Sequence, residues 1–357
     1  MKKILSVMLA AMMGVSLMGC SGGSASAETQ ASSAGTEQAS ESSQETQAAS
    51  EGESMELKLA TDAAEDYPTT MALISFADEV REKTNGRINI VVYPSSQLGD
   101  ETAYMEQLTF GAVDIAKLSI GTISSLCKDL QVFGLPYIFK NSDEMWQVLE
   151  SDIGTDMLKE LNEYNIQGIG YTDCGSRCFY TTEPVQKLED LKGMKIRVQS
   201  NDLMLAMTDA LGCNSVNVAA NEVYSAVQTG VVQGGENNAN IYLSDSLYEV
   251  APYYILDNHI ISPDVICVNL DVWNSLSAED QAIFNEAMAN ATAYQRQLWN
   301  EAVDQSLEKV KEGGATVFEP DEATLQEFQD AMAPVYEKYG TELQDWIDRI
   351  NTELGNE

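Results

Sequence analysis

Hydrophobic positions from about residue 55 onward switch repeatedly between the two-residue period of a strand and the 3.6-residue period of a helix. Alternation over 56–60 and 88–92 predicts two strands, and the i, i+3, i+4, i+7 spacing that begins at Leu73 predicts a helix between them. Further elements follow in the same order, with helices over about 100–110 and 142–164 and strands over 114–116 and 166–171. Strands that alternate with helices are typical of an α/β fold with largely parallel sheets.

The longest periodic segment begins at Ser277, where the sequence SAED is a variant of the capping box that opens helices. No glycine or proline interrupts the helical spacing before Gly313 and Gly314. The predicted helix has roughly 35 residues and is about 50 Å long at a rise of 1.5 Å per residue. Such a helix either braces two lobes or packs along one large domain, and its length favours the brace. A final helix is predicted over 321–350.

The first nineteen residues have the organisation of an export signal. Lys2 and Lys3 precede an apolar stretch over 4–17, which is too short for a comfortable transmembrane helix. The stretch ends in LMGC, which resembles a bacterial lipobox and implies that Cys20 becomes the lipid-modified first residue of the mature protein. An ordinary signal peptide that contains a cysteine is the alternative.

Residues 21–54 consist almost entirely of Ser, Gly, Ala, Gln, Thr and Glu. Such a composition buries too little surface to offset the entropy of ordering the chain. We therefore predict that 20–54 forms a lipid anchor and a disordered tether. The tether serves as a leash that lets a folded head reach a membrane partner, or it is low-complexity filler.

The charge of the chain limits its partners. Lys and Arg number 20 against 56 Asp and Glu, which gives a formal net charge of −36. Nucleic acids and anionic membrane surfaces need clustered basic residues, so neither is expected as the main partner. The net charge does not decide the sign of a small ligand, because a local pocket can oppose the global field.

Five cysteines follow Cys20, and an odd number cannot all pair within one chain. Cys174 and Cys178 stand four positions apart, which leaves a short disulfide or a metal pair open. The chain has a single histidine, His259, and no second cysteine pair has zinc spacing. Buried free thiols and the absence of a metal site are therefore the favoured interpretation.

Catalytic motifs are missing from the sequence, which has no GxSxG, HExxH, P-loop or GxGxxG pattern. His259, with a polar pair before it and an apolar pair after it, is interpreted as a structural residue rather than a ligand contact. Carboxylates are too numerous for one pair to stand out as glycosidase-like. The sequence thus predicts a protein that is not an enzyme and needs no cofactor.

Two of the six arginines, Arg177 and Arg197, lie in strand-like runs, whereas the other four lie in helices or turns. An arginine that enters an α/β sheet needs a fixed anionic partner, because an unpaired buried charge is costly. Its planar guanidinium suits a carboxylate that accepts two hydrogen bonds. The partner is either the carboxylate of a ligand or an internal Asp or Glu, and the spacing leaves both open.

The sequence around these two arginines, and the chain as a whole over about 55–345, resembles the DctP-type solute receptors of TRAP (tripartite ATP-independent periplasmic) transporters. The matching stretches are collinear and together specific: KTNGR (83–87), QLGDE (97–101), FGLPY (133–137), LEDLKGMKIRV (188–198), EVYSAVQTG (222–230) and GENN (235–238). The resemblance implies a membrane permease as partner and an extracytoplasmic location, to which the lipobox-like sequence adds a lipid anchor at Cys20.

The resemblance also implies an architecture. We expect an α/β fold in the form of a two-lobed, periplasmic-binding-protein-like clamp, with mixed sheets and a long helix that spans both lobes. The chain crosses between the lobes more than once. The expected boundaries place 55–174 plus 263–302 in lobe I and 175–262 plus 303–350 in lobe II.

The family motifs supply roles for the two arginines. The arginine of the KIRV strand clamps the ligand carboxylate in the family, and here it is Arg197. A second family arginine aligns with Arg177, and the asparagine of the EN motif aligns with Asn237. The predicted ligand-binding residues are Arg197, Arg177, Asn237, Asn238, Gln199, Asp62 and Ser119.

Departures from the family pattern bear on the ligand. Ala220 and Asn221 stand where sialic acid receptors carry an aromatic residue, which argues against sialic acid. RCFY (177–180) combined with ENN (236–238) resembles the subgroup that takes up sugar acids such as hexuronates. The ligand is therefore predicted to be a small carboxylate, a hexuronate first and a C4-dicarboxylate or other organic acid as the alternative. A surface adhesin or an extracellular enzyme are the alternatives of a different class.

Overall fold

Nine strands form one mixed sheet in the computed structural model, which describes residues 54–356. Cys20 and the rest of the predicted signal and tether up to residue 53 lie outside the described residues. The strands are β1 (Met55–Ala60), β2 (Ile88–Tyr93), β3 (Ile115–Ser119), β4 (Ile166–Thr181), β5 (Lys195–Val198), β6 (Asn214–Asn217), β7 (Gly234–Asn237), β8 (Tyr253–Asn269) and β9 (Thr316–Phe318).

Helices connect these strands and cover the sheet. They are α1 (Pro68–Lys83), α2 (Glu101–Thr109), α3 (Ile120–Ile123), α4 (Ser142–Leu149), α5 (Asp152–Glu160), α6 (Leu188–Leu191), α7 (Asp202–Ala210), α8 (Val223–Gln228), α9 (Ala239–Ser244), α10 (Leu270–Ser275), α11 (Ala278–Glu312), α12 (Glu322–Asp330), α13 (Ala333–Val335) and α14 (Gln344–Leu354). Short 3₁₀ turns occupy Lys128–Gly134, Leu161–Tyr164, Ala220–Glu222 and Leu247–Glu249, and Tyr336–Gly340 is a π-helical turn.

The strand order is β2-β1-β3-β8-β4-β7-β5-β6, with β9 paired to β8. Parallel pairs join β1, β2 and β3 at one end and β5, β6 and β7 at the other. Between these ends, β3 with β8, β8 with β4 and β4 with β7 are antiparallel. The α/β prediction is confirmed, and the sheet is mixed rather than largely parallel because β4 and β8 are antiparallel to each other, β8 is antiparallel to β3 and β4 is antiparallel to β7.

Two long strands connect the two ends of the sheet. β8 pairs with β3 through its C-terminal half and with β9 through its first residues, while β4 pairs with β7 only near its own end. The ladder between β4 and β8 shifts register between Asp173 and Ser176. Gly175 lies inside that shift with φ of 68°, and a Cβ there would lie 2.7 Å from the Trp299 ring of α11. Only glycine combines this backbone conformation with so close an approach.

The long helix is confirmed at the predicted residues. Ser277 accepts a hydrogen bond from the backbone N–H of Asp280 and begins α11, whose 35 residues end before Gly313. Phe284 packs edge-on against Phe76 of α1, in the core next to β1, β2 and β3. Val310, seven turns later, belongs to a separate core with residues of β4 and β8. The helix thus contacts the core beside β1, β2 and β3 and a second core beside β4 and β8.

Two segments that were predicted as single continuous helices are interrupted in the structure, so the prediction is wrong on that point. The segment 142–164 is divided into α4, α5 and a 3₁₀ turn, because Ser151 accepts a hydrogen bond from the Ile153 N–H and starts a new helix. The segment 321–350 is divided into α12, α13, the π-helical turn and α14. Pro334 lies in that segment, and its missing N–H and its ring interrupt the helical hydrogen bonds.

The five cysteines of the described residues are free and buried, as predicted: Cys127, Cys174, Cys178, Cys213 and Cys267. Cys174 and Cys178 therefore form no disulfide. Within 54–356, no helix is both long and apolar enough to cross a membrane.

Candidate ligand-binding site

A cavity of about 290 Å³ opens where strands from both ends of the sheet terminate. It is lined by all seven residues of the predicted site, Asp62, Ser119, Arg177, Arg197, Gln199, Asn237 and Asn238. Their positions follow from the topology. Asp62 follows β1, Ser119 ends β3, Arg197 and Gln199 lie at the end of β5, and Asn237 ends β7. Residues up to 176 positions apart in sequence, Asp62 and Asn238, are thereby brought to one place.

Arg197 is a buried cation without a carboxylate partner among the described residues. Its Nε donates a hydrogen bond to the backbone oxygen of Val218 at 2.9 Å, which fixes the guanidinium at the cavity wall. No Asp or Glu of the described chain lies within salt-bridge distance of it. A buried, uncompensated charge is costly, so an anion bound beside Arg197 would lower that cost.

Arg177 differs from Arg197 because it has an internal partner. Its Nη2 and Nε contact the two carboxylate oxygens of buried Glu236 at 2.9 and 2.5 Å, and its Nη1 donates to Asn237 Oδ1 at 3.3 Å. The internal salt bridge that the sequence left open is thus present at Arg177. The side chain still lines the cavity, but Glu236 balances its charge. Burial acts to raise the pKa of Glu236, yet Arg177 and His259 outweigh it and lower the pKa to about 2.

His259 lies behind this pair and outside the cavity wall. Its Nδ1 is 2.7 Å from an oxygen of Asp257, its Nε2 is 3.6 Å from Glu236, and its ring stacks on Phe179. Burial acts to lower the pKa of His259, but Asp257 and Glu236 outweigh it and raise the pKa to about 9. Cations and anions therefore alternate from Asp257 through His259 and Glu236 to Arg177.

This row of charges gives the protein a predictable response to alkaline pH. A histidine whose pKa is about 9 in the folded state and 6.5 when unfolded contributes stability that is complete below pH 6.5 and is lost up to about pH 9. Between pH 7 and 8.5 we expect the free energy of unfolding to fall by on the order of 2 kcal/mol. Burial raises the pKa of Asp264 to about 7, so its own contribution, of the same sign, lies below this window.

Urea unfolding of the purified protein at several pH values between 7 and 8.5 measures this slope. The variant His259→Gln removes the titrating histidine and is expected to make the slope clearly shallower, while the five buried thiols, whose pKa values burial raises, retain a smaller slope of the same sign above about pH 8. An equal slope in the parent and the variant would assign the loss to other groups.

Sequence reasoning missed Lys117, which is buried on β3 and lines the cavity. Its Nζ is 2.6 Å from Asp62, 3.7 Å from Glu101 and 3.8 Å from Asp264. Burial acts to lower the pKa of Lys117, but the three carboxylates outweigh it and raise the pKa. The sequence could have indicated Lys117, because a lysine inside the apolar strand IAKLS needs an anionic partner in the same way as the two arginines.

Three predicted residues have polar groups that are already engaged. Gln199 donates to Ser119 Oγ at 2.9 Å, and Ser119 donates in turn to Glu101 at 2.8 Å. Asn238 caps α9 by accepting from the Ile241 N–H, and its amide donates to the backbone oxygen of Cys174. The sequence did not indicate these contacts, which hold the cavity wall in shape.

Tyr180 is a further lining residue that sequence reasoning missed. It lies on β4 three positions after Arg177, and its buried hydroxyl has no hydrogen-bond partner among the described residues. Gly235 of β7 lies against it, since a Cβ there would be 2.5 Å from the hydroxyl. The sequence marked this segment only as strand-like, because a tyrosine in a strand is ordinarily a core residue.

Known proteins resemble this chain over nearly all of the described residues. Residues 59–342 match the family described as "Bacterial extracellular solute-binding protein, family 7", DctP. A solute-binding protein from Chromohalobacter salexigens is 38% identical over 274 residues, which cover 76% of this chain and 81% of that protein.

Solved structures agree with this match. The TRAP periplasmic solute binding protein from Xanthobacter autotrophicus Py2, with bound β-D-galacturonate, is 37% identical with a TM-score of 0.80, covering 83% of this chain and 99% of that one. The corresponding protein from Pseudomonas putida F1, with bound D-glucuronate, is 34% identical with a TM-score of 0.81, covering 83% and 97%. The two-lobed α/β architecture is thereby confirmed. The chain belongs to the DctP family of bacterial extracellular solute-binding proteins, the solute receptors of TRAP transporters.

Proposed function

We propose that this receptor binds a hexuronate and delivers it to the membrane permease of a TRAP transporter. The observation that carries the proposal is Arg197, a buried guanidinium at the cavity wall that has no carboxylate partner among the described residues. A ligand carboxylate supplies the missing charge and accepts two hydrogen bonds from the terminal nitrogens. Asn237 and the paired Arg177 offer further donors beside it.

The hexuronate is favoured by the similar proteins from Xanthobacter autotrophicus and Pseudomonas putida, which hold galacturonate and glucuronate. The cavity volume of about 290 Å³ accommodates a single sugar ring rather than a long oligosaccharide. Binding is reversible and without chemical turnover in this proposal, since a receptor must release its ligand unchanged.

Isothermal titration calorimetry with D-glucuronate, D-galacturonate and the neutral sugars D-glucose and D-galactose tests the ligand class. At least one uronate is expected to bind far more tightly than the neutral sugar of the same configuration, because only the uronate compensates Arg197. A neutral sugar that binds as tightly as its uronate would remove the carboxylate from the recognition. Ligand recovered chemically unchanged after incubation would support a receptor, and a new product would contradict it.

We also propose that the protein is a lipoprotein anchored at the outer surface of the cell membrane through Cys20. The support is the LMGC sequence and the polar stretch that follows it. The variant Cys20→Ser is expected to move the protein from the membrane fraction to the soluble extracytoplasmic fraction, as measured by fractionation and immunoblotting. A substituted protein that stays on the membrane would refute the lipid anchor.

The lobe boundaries remain part of the proposal. The expected crossing points, near 174 and 262, coincide with the register shift between β4 and β8, where Asp173 pairs with Pro263 and Ser176 with Ile261. Residues Asp62 and Ser119 then belong to lobe I, and Arg197 and Asn237 to lobe II, so ligand binding would hold the lobes together.

A further inference from the structure

Carboxylates outnumber cations among the charged side chains that line the cavity or contact one of its lining cations from behind the wall. Lys117 stands against three carboxylates within 4.0 Å, those of Asp62, Glu101 and Asp264, which we call the acidic group. One lysine charge offsets one of the three. Asp245, at the end of α9, adds a further carboxylate to the cavity lining.

Asp264 shows that the acidic group is not fully satisfied from within the protein. It is only 4% exposed, its Oδ2 lies 3.8 Å from Lys117, and its Oδ1 has no hydrogen-bond partner among the described residues. The residue lines the cavity. A buried carboxylate oxygen without a donor is costly, so a donor brought by the ligand would be favourable there.

Among the cations that line the cavity, one is free to pair with an anionic group of the ligand. Glu236 balances Arg177, and the acidic group more than balances Lys117, so Arg197 is the cation that remains uncompensated among the lining residues. A first carboxylate of the ligand is met by Arg197. A second carboxylate finds no free cation and lies in a cavity whose remaining charges are negative.

We propose that the acidic group restricts this receptor to ligands with a single carboxylate and several hydroxyls, and excludes dicarboxylates. The inference rests on the proposed function, because it describes the same cavity. Ionised carboxylates only accept hydrogen bonds, so they pair with sugar hydroxyls and repel a second carboxylate. Specificity of this kind comes from a group that opposes the wrong ligand as much as from one that attracts the right one.

D-Glucuronate and D-glucarate test the inference, since they share the carbon chain and differ at C1, where glucarate carries a second carboxylate in place of the group that closes the pyranose ring. A change in the preference on removal of a cavity carboxylate separates the effect of charge from that of the ring. Calorimetry on the parent at pH 8, where Asp264 with its pKa of about 7 is ionised, is expected to show glucuronate bound at least about a hundredfold more tightly, because like charges placed side by side oppose binding. The isosteric variant Asp264→Asn removes one negative charge and is expected to narrow this preference at least about tenfold by tightening glucarate binding. Asp62→Asn provides an independent variant if Asp264→Asn does not fold.

Asp304→Asn, on the exposed face of α11, changes the net charge equally and is expected to leave the preference unchanged. The inference is overturned if the parent binds glucarate within threefold of glucuronate, or if neither cavity variant narrows the ratio beyond the Asp304→Asn control. Those results leave a glucuronate receptor intact. If the parent binds neither D-glucuronate nor D-galacturonate, that result refutes the proposed function and this inference with it.

Discussion

Replacing Arg197 with alanine is expected to weaken binding of the preferred hexuronate by roughly thirty-fold to several thousand-fold. Loss of one partner of a buried charge pair costs about 2–5 kcal/mol, and each 1.4 kcal/mol is a factor of ten in Kd. The effect is large because the other lining cations, Lys117 and Arg177, are held by internal carboxylates and do not take over the ligand. Calorimetry of the parent and the variant with the same uronate measures the change.

Arg197→Lys should recover only part of the affinity, since an ammonium keeps the charge and loses the planar fork. Arg81→Ala is a matched control, because Arg81 forms an exposed pair with Asp78 on α1. An Arg197→Ala protein that binds its ligand like the parent would show that Arg197 has a structural role only.

Replacing Glu236 with glutamine is expected to lower the free energy of unfolding by about 3–5 kcal/mol, the usual cost of leaving one member of a buried ion pair alone. Glu236 is fully buried and lies against both Arg177 and His259. The neutral amide keeps the shape of the side chain but leaves two buried cations without their shared anion. Urea unfolding at pH 7, followed by circular dichroism, measures the loss.

Glu150→Gln is the control for this substitution. Glu150 pairs with Arg296 at 2.7 Å, but its side chain is 63% exposed and that of Arg296 is 36% exposed, and such surface pairs contribute about 0–1 kcal/mol. A comparable small loss in Glu236→Gln would mean that water already reaches the buried pair. Because Glu236 also orients Arg177, ligand binding should weaken together with stability.

Local signals were sufficient for the elements whose ends are marked by particular residues. Ser277 and the two glycines at 313 and 314 define α11 from the sequence, and the structure ends the helix there. β4 and β8 were not predicted as continuous strands. Gly175 and its polar neighbours interrupt the alternation, whereas pairing with β8 on both sides of Gly175 continues the strand through them, and no local pattern shows that pairing.

The sequence predicted those parts of the site that consist of residue types rarely found in buried strands. Arg177 and Arg197 stood out because cations are rare in buried strands, and the family motifs indicated which neighbours to consider. The sequence did not distinguish the two, since the pairing of Arg177 with Glu236 joins residues 59 positions apart through a strand contact. Lys117 and its three carboxylates come from four separate segments, so no local pattern marks them as a group.

The reactivity of the five buried thiols can be used to measure transient opening of the folded protein. Burial raises the pKa of Cys127 to about 11 and of Cys213 to about 12, and it raises the pKa values of the other three thiols as well. Alkylating reagents react with thiolates, so at neutral pH a labelled cysteine records a molecule that had opened around it. Cys174 lines the cavity, so a bound ligand would slow its rate of labelling. The labelling rates of the other four cysteines would report local unfolding of the core.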